Sequence, residues 1–379
     1  MREVLAGQSS VEELLRQRTI ANEQFFAAEA ARIAELCRLL AERFGGGGRL
    51  FASGSSAQDR SDARHVAVEF VHPVIVGKRA LPARALSPAE LKLLAEPGDA
   101  AIVFGSQDSV AGARAAGCLT IAFEPGPAEW IFEPPTDDPF VRQELIETLY
   151  HVLWELVHVF FEQAGRAGRD GGSSSFLYPF LSDRVHDPEV VLADVRDSVL
   201  LKAREIGALR ERTLGEGRSE LEGAAAVLGE RLDAGGTLLA FGNGGSATDA
   251  MDVVADFRAA PQGWPSRRAL DLTDDPAILT ALANDIGARA LYSRQVIAYG
   301  RPGDVALALS TSGGSANIIE ALEEARRRGM TTIACIGYDG GRVAAEGLAD
   351  HLVITPSEHI PRIQEAQASA YHVLRELVR

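Results

Sequence analysis

At 379 residues, with 46% hydrophobic and 24% charged side chains, the chain is long enough for two ordinary domains and its composition is globular rather than disordered. A formal net charge of −15, with no basic run and no aromatic–basic interleaving, excludes broad contact with nucleic-acid phosphates. Its three cysteines, Cys37, Cys118 and Cys335, lie far apart, which argues against a disulfide framework or a cysteine zinc site and for a reduced, cytoplasmic interior.

Taken in chain order, Met1-Arg2-Glu3-Val4 leads into an amphipathic stretch and not a secretory core. A helical pattern over 11–44 stops at a Gly-Gly break, and a short strand is expected over 49–52. A loop and a helix follow, then strands over 100–104 and 119–123. The most apolar segment, 149–161, is too short to span a bilayer and carries Glu155, so it reads as a buried helix and no membrane association is expected. The segment 163–188, with four glycines and Ser173-Ser174-Ser175, reads as a linker. A second series then begins: helices over 190–232, strands over 237–241, 305–309 and 331–336, and a closing helix. Strands alternating with helices predict an α/β fold with a mostly parallel sheet covered on both faces.

The two series are copies of one another. Leu39-Leu40-Ala41-Glu42-Arg43-Phe44 is echoed by Val227-Leu228-Gly229-Glu230-Arg231-Leu232, and Glu96-Pro97-Gly98-Asp99-Ala100 by Arg301-Pro302-Gly303-Asp304-Val305. Tyr150-His151-Val152-Leu153-Trp154-Glu155-Leu156-Val157 returns almost unchanged at 371–378. Three matches in one order indicate a tandem duplication. The expected domains are 1–164 and 189–379, joined by 165–188.

Two phrases in the second copy carry chemistry. Gly242-Asn243-Gly244-Gly245-Ser246 and Ser310-Thr311-Ser312-Gly313-Gly314-Ser315 each follow an apolar strand and precede a helix. Glycines let a backbone approach an anion, hydroxyls donate to its oxygens, and helix N-termini add free N–H groups. A doubly wound sheet sets such corners side by side, so a phosphate site is expected, for a sugar phosphate.

With Asp275, Thr280-Ala281-Leu282-Ala283-Asn284-Asp285, Gly337-Tyr338-Asp339-Gly340-Gly341 and Arg362-Ile363-Gln364-Glu365 added, the second copy resembles the SIS (sugar isomerase) domains of the phosphoheptose isomerase type. The resemblance implies a flavodoxin-like α/β fold in each of two tandem SIS domains, and active sites at subunit interfaces. It implies that Ser246, Ser310, Thr311, Ser312 and Ser315 hold the substrate phosphate, with Asn243, Asp275, Gln364 and His372 near the substrate. Gly314 stands where the family has Asn. Its members isomerise sedoheptulose 7-phosphate through an enediol, using a His-x-x-x-Glu pair and a Gln-x7-His pair that in some members bind zinc.

The copies divide these features. In the second, Asp252 and Asp256 stand at the His-x-x-x-Glu positions, while Gln364 and His372 remain. In the first, His65 and Glu69 restore one pair and Gln143 and His151 the other, and spacings of four and eight keep each pair on one helix face. Its loops are eroded: in Ser53-Gly54-Ser55-Ser56-Ala57-Gln58 and Phe104-Gly105-Ser106-Gln107-Asp108-Ser109, glutamine and Asp108 intrude where phosphate would sit. The expectation is an aldose–ketose isomerase in which Glu69 moves the proton and His151 assists. Zinc is expected at His65, Glu69, Gln143 and His151, no nucleotide cofactor is expected, and a homodimer would supply four SIS units. The alternative is a non-catalytic SIS module that binds a sugar phosphate to regulate or scaffold a partner.

Overall fold

A computed structural model describes residues 10–74, 78–166, 188–259, 261 and 263–378. Most of the expected linker, 167–187, lies outside them. The first series runs α1 (Val11–Gly45), β1 (Leu50–Gly54), α2 (Ala57–Val71), β2 (Ala83–Leu86), α3 (Pro88–Leu94), β3 (Ala100–Phe104), α4 (Gln107–Ala115), β4 (Leu119–Ala122), β5 (Trp130–Ile131) and α5 (Pro139–Arg166). The second runs α6 (Pro188–Arg210), α7 (Arg218–Asp233), β6 (Leu238–Phe241), α8 (Gly245–Arg258), β7 (Ala269–Asp271), α9 (Pro276–Asp285), α10 (Ser293–Tyr299), β8 (Val305–Ser310), α11 (Ala316–Arg327), β9 (Thr331–Gly337), α12 (Gly341–Ala345), β10 (His351–Thr355) and α13 (Ile360–Leu377). A π-helical turn, Glu211–Glu216, sits between α6 and α7.

Central strands such as Ala100–Phe104 and Val305–Ser310 are apolar without alternation and buried at every position. A strand covered on both faces has no polar side to offer, and the sheets are accordingly parallel. The first sheet has the order β2-β1-β3-β4-β5 and the second β10-β9-β8-β6-β7. Read from the other edge, the second is the same path, so the duplication written in the sequence is a duplication of topology. In each sheet the chain turns one way after the first strand and the other way to reach the next. The reversal leaves a crevice at the carboxyl ends, between β1 and β3 in one sheet and between β6 and β8 in the other, where doubly wound folds hold ligands.

The chain divides into two compact units, Ile20–Glu205 and Met1–Thr19 with Ile206–Arg379, called here the first and second units. Both boundaries fall inside helices. Val191, Val195, Val199 and Ala203 of α6 join the core of the first unit, and Val11 and Leu14 of α1 join that of the second. Matching buried ion pairs fasten them: Lys202 to Glu155 in the first unit, and Arg18 to Glu376 at 2.8 Å in the second.

Trp154 is fully buried and Trp130 stacks on Phe132, so both are packing residues. All three cysteines are free and buried; burial pushes the thiol of Cys118 up to about 11 and that of Cys335 up to about 12. Because the thiolate is the reactive form, a disulfide-exchange reagent at pH 8 is expected to leave all three unmodified in native protein and to titrate all three in denaturant. Rapid native reaction would contradict this burial.

Candidate functional site

In the second unit the two corners close the carboxyl ends of neighbouring strands. After β6 the backbone must pass under its own next turn: a Cβ on Gly242 would lie 2.2 Å from the carbonyl oxygen of Ser246. Gly244 then takes φ +59 to open α8. After β8, Gly313 has φ +60, and a Cβ there would lie 2.4 Å from the carbonyl oxygen of Gly340. Replacing Gly313 by Ala is therefore expected to cost about 2–4 kcal/mol of stability, readable as a lower urea midpoint; an unshifted midpoint would show that the corner yields freely.

The corners are tied to one another. The Asn243 and Asn317 carboxamides exchange two hydrogen bonds of 2.8 and 3.0 Å. Tyr292 donates to the carbonyl of Gly242, and its hydroxyl lies 3.3 Å from Asn243 Oδ1. Ser246 and Ser310 are buried, Thr311 and Ser315 half-buried, and Ser312 exposed. Neither α8 nor α11 has a side-chain cap: Gly244 and Ser315 occupy the capping positions without accepting from the helix. The amides of Ser246 and Ala247 turn to the carbonyls of Asn243 and Gly244, and those of Ile318 and Ile319 to that of Ser315, so what the two neighbouring helix starts offer an anion is chiefly their dipole.

The first unit fills the same places from within. Ser56 caps α2 in a capping box with Asp59, and Ser106 caps α4. Only Gly105 and Ser106 separate β3 from α4, against five residues, 311–315, between β8 and α11. The carbonyl of Asp59 lies beneath Gly54 as that of Ser246 lies beneath Gly242, so Asp59 is the structural counterpart of Ser246. Its Oδ2 accepts from the Ser56 amide at 3.0 Å and would lie 2.9 Å from a Cβ on Gly105. A carboxylate bridges the first and second corners where the second unit has a hydroxyl. Asp108, exposed in the first turn of α4, adds a further negative charge. Sequence reasoning missed Asp59; the one-residue longer loop before α2 was the available signal.

The acid–base residues of the first unit converge. His65 and Glu69 on α2 and His151 on α5 are buried, and each offers a ligand atom within 4.8 Å of the others. His65 Nε2 lies 3.2 Å from His151 Nε2 and 3.9 Å from Glu69 Oε1. Burial first, and the neighbouring His151 second, hold His65 well below its ordinary range, so it is a neutral imidazole with a lone pair to give. Two imidazoles and a carboxylate with converging atoms form a donor set suited to Zn2+. Gln143 lies two turns before His151 on α5, half-buried. Glu147, one turn before His151, also brings a carboxylate within 4.8 Å of His65. Its counterpart in the repeated helix is Ala368, so the duplication does not single it out.

In the second unit, buried His372 Nε2 lies 3.4 Å from Asp256 Oδ2, and the Tyr371 hydroxyl 3.5 Å from Asp252 Oδ2. Gln364 is buried on the same helix, α13. The Asp275 carboxylate accepts from the amides of Ala277 and Ile278 at 2.9 and 3.1 Å, capping α9. No helix among the described residues is long and apolar enough to cross a membrane.

Comparison with known proteins is consistent with these features. The SIS domain family matches residues 203–337. A phosphoheptose isomerase of Thermodesulfovibrio yellowstonii is 37% identical over 186 residues, covering 49% of this chain and 92% of that protein. One from Chlorobium phaeobacteroides is 42% identical over 203 residues, covering 52% of this chain and 85% of its own length. Across the whole chain the fold is similar to that of the C-terminal domain of glucosamine-fructose-6-phosphate aminotransferase from Francisella tularensis, with a TM-score of 0.61 at 10% identity, covering 100% of this chain and 97% of that one.

Proposed function

The chain belongs to the SIS family of sugar isomerases, in the company of phosphoheptose isomerases, and from that premise we propose that it interconverts the ketose and aldose forms of a seven-carbon sugar phosphate such as sedoheptulose 7-phosphate. The observation that carries the proposal is the division of features between the copies. Uncapped helix starts and hydroxyls survive in the second, while the buried His65–Glu69–His151 cluster survives in the first.

In this reading Ser246, Ser310, Thr311, Ser312 and Ser315 donate to the phosphate oxygens, and the amide ends of α8 and α11 complete the anion's shell. Glu69 takes the proton from the carbon beside the carbonyl and returns it to the neighbouring carbon. His151 moves the accompanying proton between the two oxygens. Carboxylates and imidazoles are the side chains that positioned acid–base catalysis most often uses. His65, Glu69, Gln143 and His151 would hold a zinc ion, which supplies Lewis-acid polarisation of the substrate carbonyl. A dimer of such chains would carry four SIS units, for which a sedimentation mass of twice the monomer is the check.

The test is incubation of the full chain with sedoheptulose 7-phosphate, with and without added Zn2+, following formation of the aldose. Turnover is expected. Saturable binding without turnover would replace this reading with that of a sugar-phosphate sensor, which the aspartates at 252 and 256 favour.

A further inference from the structure

At the opposite end of the second sheet, a cavity of about 870 Å³ opens where the chain enters β6, β7 and β8. Five arginines line it: Arg231, Arg258, Arg267, Arg268 and Arg301. In a chain with a net charge of −15, five guanidinium groups around one cavity are a marked local reversal. The one carboxylate in the lining, Asp304, is already engaged by the backbone amides of Thr237 and Arg301 at 2.8 and 2.9 Å. Among the described residues only Arg267 of the five meets a carboxylate, that of Asp233 at 2.5 Å. Arg258 and Arg268 donate to the carbonyls of Ala269 and Gly235. The Nε groups of Arg231 and Arg267 are buried without a hydrogen-bond partner among the described residues. Buried donors without acceptors are costly.

The first unit provides an internal control. There Arg49 occupies the place of Thr237 and bonds to Asp99 and Glu96. The second unit keeps the counterpart of Asp99, replaces the arginine by Thr237, and replaces Glu96 by Arg301. Arg49 with Glu96 and Asp99 carries a net −1, whereas Arg301 with Asp304 carries none, so the exchange moves this corner toward positive charge, and packing alone does not require it. Leu239, Leu270 and Ala298 add apolar wall, with the half-exposed ring of Tyr299 beside them. The volume lies within the range of small-molecule sites.

We propose that this arginine-lined cavity is a second ligand site, distinct from the carboxyl-end corners, and that it binds a polyphosphate. Several guanidinium forks match linked phosphate groups better than a single phosphate, since each fork can take two oxygens. The source of the polyphosphate is either inorganic or a nucleoside diphosphate, whose base would meet Tyr299.

Titration calorimetry of the full chain with pyrophosphate and with ADP tests this, alongside ribose 5-phosphate as a monophosphate. One site per chain is expected for pyrophosphate or ADP, weakening as salt rises. Arg301→Glu, which restores the first copy's residue, and Arg268→Glu should each weaken it on the order of tenfold. Arg294→Glu, outside the cavity, should leave it unchanged, and Ser246→Asp at the carboxyl-end corner should also preserve it. ADP binding much tighter than pyrophosphate identifies the nucleotide as the source; equal affinities identify the inorganic form. The proposal is overturned if neither ligand binds, if ribose 5-phosphate binds the cavity equally well, or if binding follows Ser246→Asp and ignores Arg301→Glu. It is also overturned if the arginine variants change only the sedimentation mass, which would make the cavity a contact between copies of the chain.

Discussion

Replacing Glu69 by Gln is expected to lower kcat for sugar-phosphate isomerisation by about 10²–10⁴-fold, the usual contribution of a positioned general base. Gln preserves the shape of a side chain that is only 2% exposed, so the fold should persist and KM should move little. An interaction needed only as the proton moves is lost from kcat, not from ground-state binding. Glu69 Oε1 is also 3.9 Å from His65 Nε2, so metal content must be measured on the same preparation. A slow variant that retains its metal isolates proton transfer. Unchanged turnover in the presence of saturating substrate would remove Glu69 from the mechanism.

Replacing Ser246 by Asp is expected to raise KM for the sugar phosphate by about 100-fold or more, with the protein still folded. The substitution copies what the first unit already does, since Asp59 occupies the matching turn and places its carboxylate against Gly105. A carboxylate about 4 Å from a phosphate repels it by several kcal/mol at the effective dielectric of a partly buried site. The converse change, Asp59→Ser, dismantles the α2 capping box and should cost about 1 kcal/mol of stability while leaving turnover nearly intact. Binding of the sugar phosphate to Ser246→Asp at wild-type affinity would show that the second unit's corners are not where the anion sits.

Much of this site is written in local sequence. The corners at 242–246 and 310–315 are local: glycine conformations, hydroxyls and the following helix are fixed by neighbours in sequence, so their character survives translation into structure. The His65–Glu69 and Gln143–His151 spacings are likewise local, because a helix repeats its face every three to four residues. Glu147 is legible by the same spacing, four residues before His151, but the repeat does not mark it, because the second copy has Ala368 there.

Other features were decided by contacts between distant residues. The carboxylate of Asp59 meets Gly105 only because β1 and β3 are adjacent in the sheet, and adjacency of strands is not a property of either segment. The unit boundaries inside α1 and α6 follow from which core their apolar faces bury, and an amphipathic helix does not specify its partner. The arginines at 231, 258, 267, 268 and 301 are far apart in the chain and become one cavity only where three parallel strands begin side by side. The duplication, the parallel α/β architecture and the residue types of the site are legible along the chain, because periodicity and turn chemistry act over a few residues. Which of those residues meet follows from the folded arrangement, because burial and charge depend on the neighbours that strand order brings together.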